Sequence, residues 1–378
     1  MSRPVRRFRS LLASMWLLLT DERGRSLVAA ERHRLRPGIY VNTGRWLWRR
    51  VGSQPPSHLV ATKGRKPLGA GWTSWRPSWL KEAAYRLLVG VVPRVVRVSR
   101  EVGDEAGFPF AVVASDGGLV LLDPSTGRVG RSFGHGPVTP SEVAIREEWS
   151  RSVPAPSFNV IEGGRWILEE FVWGDRFGDL SPHAKRDALT RLFRAYEVLA
   201  RASATGDSSA HLDAARAPRI VRQAPDAARP YVEDGDLLDE LSTGPLVPTP
   251  LDIWKDNLVR ASDGAIVLID LHPFGYRPFF APPIGAIPRL ARVDPSLVWG
   301  YLHGDFDGAL QGLFAAVGLP VDPGPRLRRS LLALSVILTT PGEWHANRWG
   351  SPVAFSGDIG HEFRSVGLHG PAIWLPDM

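Results

Sequence analysis

The chain has 378 residues, which is long for one domain. Of these residues 44% are hydrophobic and 22% are charged, a composition typical of globular proteins. It contains no cysteine, which excludes disulfide bridges, thiolate metal sites and cysteine nucleophiles. Residues 1–104 hold 21 Lys and Arg against 6 Asp and Glu, whereas residues 105–378 hold 25 against 33. A basic part therefore precedes an acidic body, and their partners have to be considered separately.

Residues 1–104 are predicted to form a basic, tryptophan-rich N-terminal extension. Its apolar run at residues 11–19 is shorter than the roughly 20 residues that a membrane-spanning helix needs. Charged residues follow this run at once, which weighs against a secretory signal, so we expect a cytoplasmic protein. A helix is predicted near residues 78–91. Six Trp residues and the excess of Arg suit an anionic membrane surface. Alternatively, the extension packs against the small lobe with its Trp residues buried. No nucleic-acid recognition motif is present.

From residue 105 the pattern changes to short strands separated by turns. Three strands are predicted, at residues 110–114, 119–122 and 128–133, with a turn at Asp116-Gly117-Gly118 between the first two. A helix is predicted at residues 141–149, and two further strands follow it at residues 158–161 and 166–172. Residues 105–174 should therefore form a small antiparallel sheet with one helix.

The remaining residues, 175–378, are predicted to be mostly helical. A long helix begins at Ser181-Pro182 and extends to about Ala204. An acidic segment at residues 233–240 leads towards residue 250, and an apolar strand at residues 266–269 ends in Asp270. A small sheet followed by a larger helical part indicates an α+β fold in two lobes.

Three polar residues in a defined order give the strongest indication of chemistry: Asp252, Asn257 and Asp270. Phosphoryl transfer needs a carboxylate to orient the acceptor hydroxyl, and an amide oxygen and a second carboxylate to hold Mg²⁺ against the phosphates. A hairpin between Asn257 and Asp270 would bring these two oxygen donors together, and such hard donors favour Mg²⁺ over zinc. Each residue taken singly could be an ordinary turn residue, so the prediction rests on the ordered set.

In this spacing the chain resembles the aminoglycoside and choline kinase-like phosphotransferases, which have the bilobal fold of protein kinases. Their catalytic loop is His-Gly-Asp, four residues and Asn, and a metal-binding Asp follows on the next strand. The resemblance covers roughly residues 105–340. It implies that Asp252 is the catalytic residue and that Asn257 and Asp270 bind Mg²⁺. Pro250-Leu251 stands where the family has His-Gly.

The resemblance also implies an ATP site that precedes the catalytic loop. Glu170-Phe171-Val172 corresponds to the hinge strand, whose backbone faces adenine. Asp116-Gly117-Gly118 corresponds to the loop that covers the phosphates, although a Gly-Gly turn is also common in plain hairpins.

A cation for the nucleotide phosphates is expected on the third strand of the sheet, where kinases usually have Lys. The chain has no Lys between Lys81 and Lys185, and Arg131 is the best substitute, with Arg128 as second choice. The partner acid on the following helix is predicted to be Glu147, with Glu148 as the alternative. Arg is suited to this place because its guanidinium can contact an acid and a phosphate together.

The resemblance thus implies an ATP- and Mg²⁺-dependent phosphotransferase that acts on a hydroxyl of a small polar molecule, such as an aminoglycoside, an amino alcohol or a sugar. The acidic body would suit a cationic acceptor. Two alternatives stay open. The missing His-Gly pair and Lys favour a nucleotide-binding or scaffold pseudokinase, and the basic extension favours a glycan acceptor at a membrane surface. Motifs of P-loop, dinucleotide-binding and serine-hydrolase proteins are absent from the sequence.

Overall fold

The computed structural model describes residues 22–42, 47–53, 95–104, 106–114, 118–134, 136–204, 240–241, 243–250, 253, 257–271, 274–291 and 293–339. These residues belong to two compact units. The first comprises the described parts of Met1–Thr139 and Ser157–Phe171, and the second those of Pro140–Pro156 and Val172–Met378.

The first unit is built on an eight-stranded antiparallel sheet. Its strands are β1 (Gly38–Asn42), β2 (Leu47–Arg50), β3 (Val95–Val98), β4 (Phe110–Val113), β5 (Leu119–Asp123), β6 (Arg128–Ser132), β7 (Phe158–Ile161) and β8 (Trp166–Glu170). Their order across the sheet is β3-β1-β2-β4-β5-β6-β8-β7, and all neighbours are antiparallel. The predicted meander of three strands is β4–β5–β6, and the two later strands are β7 and β8.

Both faces of this sheet are covered by apolar side chains, because successive residues of a strand point to opposite faces. Ala111, Leu121 and Trp166 belong to the larger cluster, against which helix α1 (Glu22–Ala30) packs with its buried Val28. Phe110 belongs to a second, smaller cluster, as its alternation with Ala111 requires.

The described residues of the predicted N-terminal extension belong to this same sheet. Strands β1 and β3 pair with each other, β1 pairs with β2, and β2 pairs with β4. The boundary predicted after residue 104 therefore does not coincide with a boundary between the two units. The β-branched and aromatic residues of these strands are compatible with a pleated, half-buried surface, and the pairing stabilises them as strands. The apolar run at residues 11–19 and the helix predicted near residues 78–91 lie outside the described residues.

The second unit is mostly helical, as predicted. Its helices are α2 (Pro140–Ser150), α3 (Pro182–Ala204), α4 (Ala281–Leu290), α5 (Ser296–His303), α6 (Asp307–Ala315) and α7 (Pro325–Thr339). Its strands are β9 (Gly174–Arg176), β10 (Leu246–Pro250), β11 (Leu258–Ala261), β12 (Ile266–Leu268) and β13 (Phe274–Pro278). Strands β12, β11 and β9 form one antiparallel sheet, and β10 and β13 form another. Within the described ranges, no helix combines the length and the apolar character that crossing a membrane requires.

The core of the second unit is rich in aromatic rings. Phe279 meets Phe314 edge-on with ring centroids 4.9 Å apart, and Phe193 stacks on Phe306 at 6.1 Å. Such arrangements add to the gain from burying the rings. Helix α2, predicted as part of the sheet lobe, belongs to this unit, where its Trp149 is fully buried. A sheet unit together with a mostly helical unit confirms the predicted α+β class.

Candidate active site

The hairpin predicted between Asn257 and Asp270 is present. Strands β11 and β12 pair in the register Leu258↔Leu268, and the amide of Ile269 donates to the carbonyl oxygen of Asn257 at 2.8 Å. At the turn, Asp263 Oδ1 accepts the amide of Ala265 at 2.9 Å, as Asp does in many turns. Asn257 directly precedes β11, and Asp270 lies one residue beyond Ile269. The hairpin therefore brings the two predicted metal ligands to the same end.

Asp270 has an unusual backbone conformation. Its φ is +61°, in the left-handed region that residues other than glycine adopt infrequently and that Asp and Asn tolerate best. Asp270 is exposed, whereas Asn257 is buried, with 7% of its surface exposed. Conformations of this kind cluster at functional sites, where the surrounding structure maintains them.

An amide oxygen and a carboxylate oxygen at one end of a hairpin fit a hard cation such as Mg²⁺, which binds few protein groups and retains other oxygen ligands. In the part of the chain that the structure describes, no three His, Asp or Glu side chains form a metal-binding cluster. The predicted donor pair differs from such a cluster because one of its members is Asn257. The roles of Asn257 and Asp270 as metal ligands stay a prediction.

Asp252 and Leu251 lie outside the described residues, but the strand that precedes them is described. Pro250 ends β10 opposite Phe274 of β13. The hydroxyl groups of Thr249 and Tyr196 share a buried hydrogen bond, and Trp149 Nε1 donates to the Tyr196 oxygen at 3.4 Å. Burial raises the pKa of the Tyr196 phenol above its ordinary value, so this group stays a neutral hydrogen-bonding partner. These contacts hold the end of β10, where the predicted catalytic loop begins.

Arg131, the predicted phosphate-binding cation, pairs with a carboxylate of its own sheet. Its Nε donates to Glu169 Oε2 at 2.6 Å, and the two side chains are 13% and 2% exposed. The contact follows from the register, because Arg131 of β6 pairs with Ile167 of β8 and Glu169 lies two residues further on the same face. Sequence reasoning missed Glu169, because the prediction sought the partner acid on the following helix.

Glu147, the acid predicted to pair with Arg131, lies exposed on α2 in the second unit. Its alternative Glu148 accepts a hydrogen bond from the Tyr276 hydroxyl at 3.1 Å. The pairing of Glu147 with Arg131 stays a prediction. Arg128, the second choice for the cation, donates to Thr126 Oγ1 at 3.0 Å and lies over the ring of Phe108. These contacts give Arg128 a structural role at the β5–β6 turn.

The three residues of the predicted hinge differ in their backbone hydrogen bonds. The amide of Glu170 donates to Ser157, and the amide of Phe171 donates to Gly127 at 2.8 Å. Among the described residues, no hydrogen bond engages the backbone of Val172. Of the three predicted adenine-facing residues, Val172 is therefore the one whose backbone amide donates no hydrogen bond among the described residues, and its contact with adenine stays a prediction.

The loop predicted to cover the phosphates is described only at Gly118. Its carbonyl oxygen accepts the amide of Ala114 at 2.9 Å, which closes the β4–β5 hairpin. A Cβ atom at Gly118 would overlap the carbonyl oxygen of Ser132 on β6, so close packing of the strands requires glycine there. Asp116 and Gly117 lie outside the described residues, and their phosphate-binding role stays a prediction.

No protein-family model matches the chain, and no curated protein matches it in sequence. Solved structures do match. A choline/ethanolamine kinase family protein from Mesorhizobium loti is 16% identical, with a TM-score of 0.40 over 68% of this chain and 86% of that one. An ethanolamine kinase from Plasmodium vivax is 13% identical, with a TM-score of 0.37 over 70% and 79%.

An aminoglycoside phosphotransferase from Streptomyces rimosus, solved with ADP and streptomycin, is 20% identical, with a TM-score of 0.34 over 58% of this chain and 90% of that one. These proteins are of the two kinds that the sequence resembles.

Proposed function

We propose that the protein transfers the terminal phosphoryl group of ATP to a hydroxyl group of a small polar molecule, with Mg²⁺ as cofactor. The β11–β12 hairpin is the observation that carries this proposal, because it brings Asn257 and Asp270 together at one end. Asp252, Asn257 and Asp270 are of the residue types that phosphoryl transfer requires, namely a carboxylate for the acceptor hydroxyl and two oxygen donors for the metal.

In the proposed reaction the acceptor oxygen forms a bond to the terminal phosphorus as the bond from that phosphorus to the bridging oxygen breaks. ADP leaves, and the proton of the acceptor hydroxyl passes to the carboxylate of Asp252. A bound Mg²⁺ supplies positive charge at the phosphate oxygens. Asn257 and Asp270 would hold the ion, and Arg131 keeps its predicted role as a phosphate-binding cation.

A direct test is the Mg²⁺ dependence of ATP binding, measured by isothermal titration calorimetry. The wild-type protein should bind ATP more tightly with Mg²⁺ than with EDTA. Asp270→Asn should weaken the Mg²⁺-dependent binding at least about tenfold, which corresponds to about 1.4 kcal/mol. Asp263→Asn removes a carboxylate from the same hairpin and preserves the acceptor oxygen of the turn, so it should bind ATP like the wild type. A wild-type protein that does not bind ATP with Mg²⁺ would refute the proposal.

A nucleotide-binding pseudokinase is the second candidate. It is favoured by the ion pair of Arg131 with Glu169 and by Pro250, which occupies a strand position where the family has His. A pseudokinase should bind ATP but form no ADP with any acceptor. Asp252→Ala should then bind ATP like the wild type. Steady ADP release with any hydroxylated acceptor, abolished by Asp252→Ala, would exclude it.

One feature of the first unit favours contact with an anionic membrane surface. A hollow of about 360 Å³ is lined by Arg32 and Arg97 together with exposed Ile39 and Val102. Basic groups beside apolar ones suit the boundary between lipid headgroups and acyl chains. The full chain should sediment with phosphatidylserine vesicles and release from them in high salt. An equal amount sedimenting with phosphatidylcholine vesicles would contradict an electrostatic attachment.

A further inference from the structure

Three buried side chains of the second unit form a series of hydrogen bonds that ends on the main chain of Pro250. They come from α2, α3 and β10 and are at most 1% exposed: Trp149, Tyr196 and Thr249. Trp149 Nε1 donates to the Tyr196 oxygen at 3.4 Å, and the hydroxyl oxygens of Tyr196 and Thr249 lie 2.5 Å apart. The Thr249 hydroxyl donates to the Pro250 carbonyl oxygen at 3.2 Å. Because these groups are buried, water does not compete for their hydrogen bonds.

The chemistry of the three groups fixes the direction of the series. An indole N–H is a donor only, so the Tyr196 oxygen accepts the hydrogen bond from Trp149. A hydroxyl has one proton, and Thr249 gives its proton to Pro250, so Tyr196 is the donor to Thr249. Loss of the Thr249 hydroxyl would therefore leave the buried Tyr196 proton without this acceptor, which is costly.

The strand that carries Thr249 has little backbone freedom. Pro248 and Pro250 stand on either side of Thr249, and each pyrrolidine ring fixes the φ of its own residue. A residue that precedes proline is restricted to extended conformations, which applies to Thr249. Phe274 pairs with Pro250 across the two-stranded sheet and meets the Trp149 ring edge-on, with ring centroids 5.5 Å apart. The end of β10 is therefore held by its own prolines and by its neighbours.

The direction of the Pro250 carbonyl is the freedom that remains at this end of β10. Because φ of Pro250 is fixed, ψ alone orients the carbonyl, and the hydrogen bond from Thr249 restricts ψ. The carbonyl belongs to the planar peptide that joins Pro250 to Leu251, and Asp252 follows Leu251 in the sequence. Proline has no hydrogen-bonding group in its side chain, in contrast to the His of the phosphotransferases that the sequence resembles. The Thr249 hydroxyl therefore supplies a polar contact that the residue at position 250 cannot make itself.

We propose that Tyr196 and Thr249 are positioning residues for phosphoryl transfer, which act by fixing the peptide that joins Pro250 to Leu251. The effect on transfer rests on the proposed function, whereas the series of hydrogen bonds does not depend on it. A small misplacement of a reacting group lowers a rate strongly, even when its cause is remote from the chemistry. A proline at position 250 is then compatible with an active enzyme.

The test compares three variants of the full-length protein with the wild type: Thr249→Val, Thr249→Ser and Tyr196→Phe. Valine and phenylalanine remove the hydroxyl group, whereas serine keeps it. Activity is measured as ADP release from MgATP, with choline, kanamycin and glucose offered as acceptors beside water. We expect Thr249→Val and Tyr196→Phe to lower kcat at least about tenfold, with the KM for ATP within about twofold of the wild type. Thr249→Ser should keep at least about half of the wild-type kcat, because it retains the hydroxyl.

Tyr40→Phe is the matched control. Tyr40 is fully buried in the first unit, and its hydroxyl donates to the backbone carbonyl of Phe108 at 2.6 Å. Tyr40→Phe, Tyr196→Phe and Thr249→Val should each lower the unfolding temperature by about 2 to 4 °C, since each removes a buried hydroxyl group. Only the last two should lower kcat. An equal loss of kcat in Tyr40→Phe would attribute the effect to stability and overturn the positioning role.

The double variant of Tyr196→Phe and Thr249→Val tests whether the two residues act as one series. Once the Thr249 hydroxyl is gone, Tyr196 has no route to the Pro250 carbonyl, so kcat should fall no further than in Thr249→Val. Losses that multiply, to about a hundredfold, would overturn the series.

Failure of the positioning role differs from failure of the proposed function. If the wild type releases ADP and Thr249→Val keeps its kcat, the positioning role is wrong while the phosphotransferase proposal stands. If the wild type releases no ADP with water or with any of the three acceptors, the phosphotransferase proposal fails and the positioning role fails with it.

Discussion

Substitutions at Asp270 can separate the backbone requirement of this position from its predicted chemical role. At φ +61° a residue with a Cβ pays a steric cost of about 1 to 2 kcal/mol, which glycine avoids and which Asp and Asn reduce by local hydrogen bonding. Because Asp270 is exposed, its substitution removes little buried surface. Asp270→Ala should therefore destabilise the protein by about 1 kcal/mol. Asp270→Asn should change stability by less than about 0.5 kcal/mol. Asp270→Gly should also lie near the wild type, since relief of strain and the greater entropy of the unfolded chain oppose each other.

The assay is urea unfolding followed by tryptophan fluorescence, with thermal unfolding beside it. For a unit of this size, 1 kcal/mol corresponds to a shift of about 2 to 4 °C in the unfolding temperature. All three substitutions remove the carboxylate, so each should weaken Mg²⁺-dependent ATP binding at least about tenfold whatever its stability. If Asp270→Ala is as stable as Asp270→Asn, the argument from the left-handed conformation is wrong. If Asp270→Asn binds MgATP like the wild type, Asp270 is not a metal ligand.

Three further predictions concern other parts of the molecule. Arg131→Ala should cost about 3 kcal/mol in urea unfolding, because it removes the guanidinium that neutralises buried Glu169, and Arg131→Lys should recover part of the loss. Gly174→Ala should cost about 2 kcal/mol, because the new Cβ would overlap the carbonyl oxygen of Arg260 across the β9–β11 pair; equal stability would refute this packing. Burial raises the pKa of Tyr196, so the stability that its neutral phenol contributes is present below about pH 10 and is lost as the pH rises further. Tyr196→Phe should therefore reduce the alkaline loss of stability by up to about 1.4 kcal/mol per pH unit, measured by urea unfolding between pH 9 and 11.

Most secondary structure of the two units follows from local signals. The meander at β4–β6 was predicted within one residue because turn residues separate its apolar strands. Helix α3 begins at Pro182 as predicted, with the Ser181 hydroxyl accepting the amide of Ala184 at 3.3 Å. The hairpin from Asn257 to Asp270 was predicted for the same reason, since a short turn allows neighbouring strands to pair. Strands β1 to β3 were missed because their short runs stand among basic residues, and only pairing with one another and with β4 makes them strands.

By itself the sequence determined which residues are available for chemistry and how far apart they stand along the chain: Asp252, Asn257 and Asp270 in order, with no cysteine and no Lys in the sheet. Tertiary structure decided which charges meet. Arg131 pairs with Glu169 because two strands distant in sequence lie side by side, and Arg277 and Arg289 share a cavity because β13 and α4 pack together. The burial and pairing of a charged side chain depend on such non-local contacts. The sequence around an arginine does not reveal whether water or protein will surround its side chain.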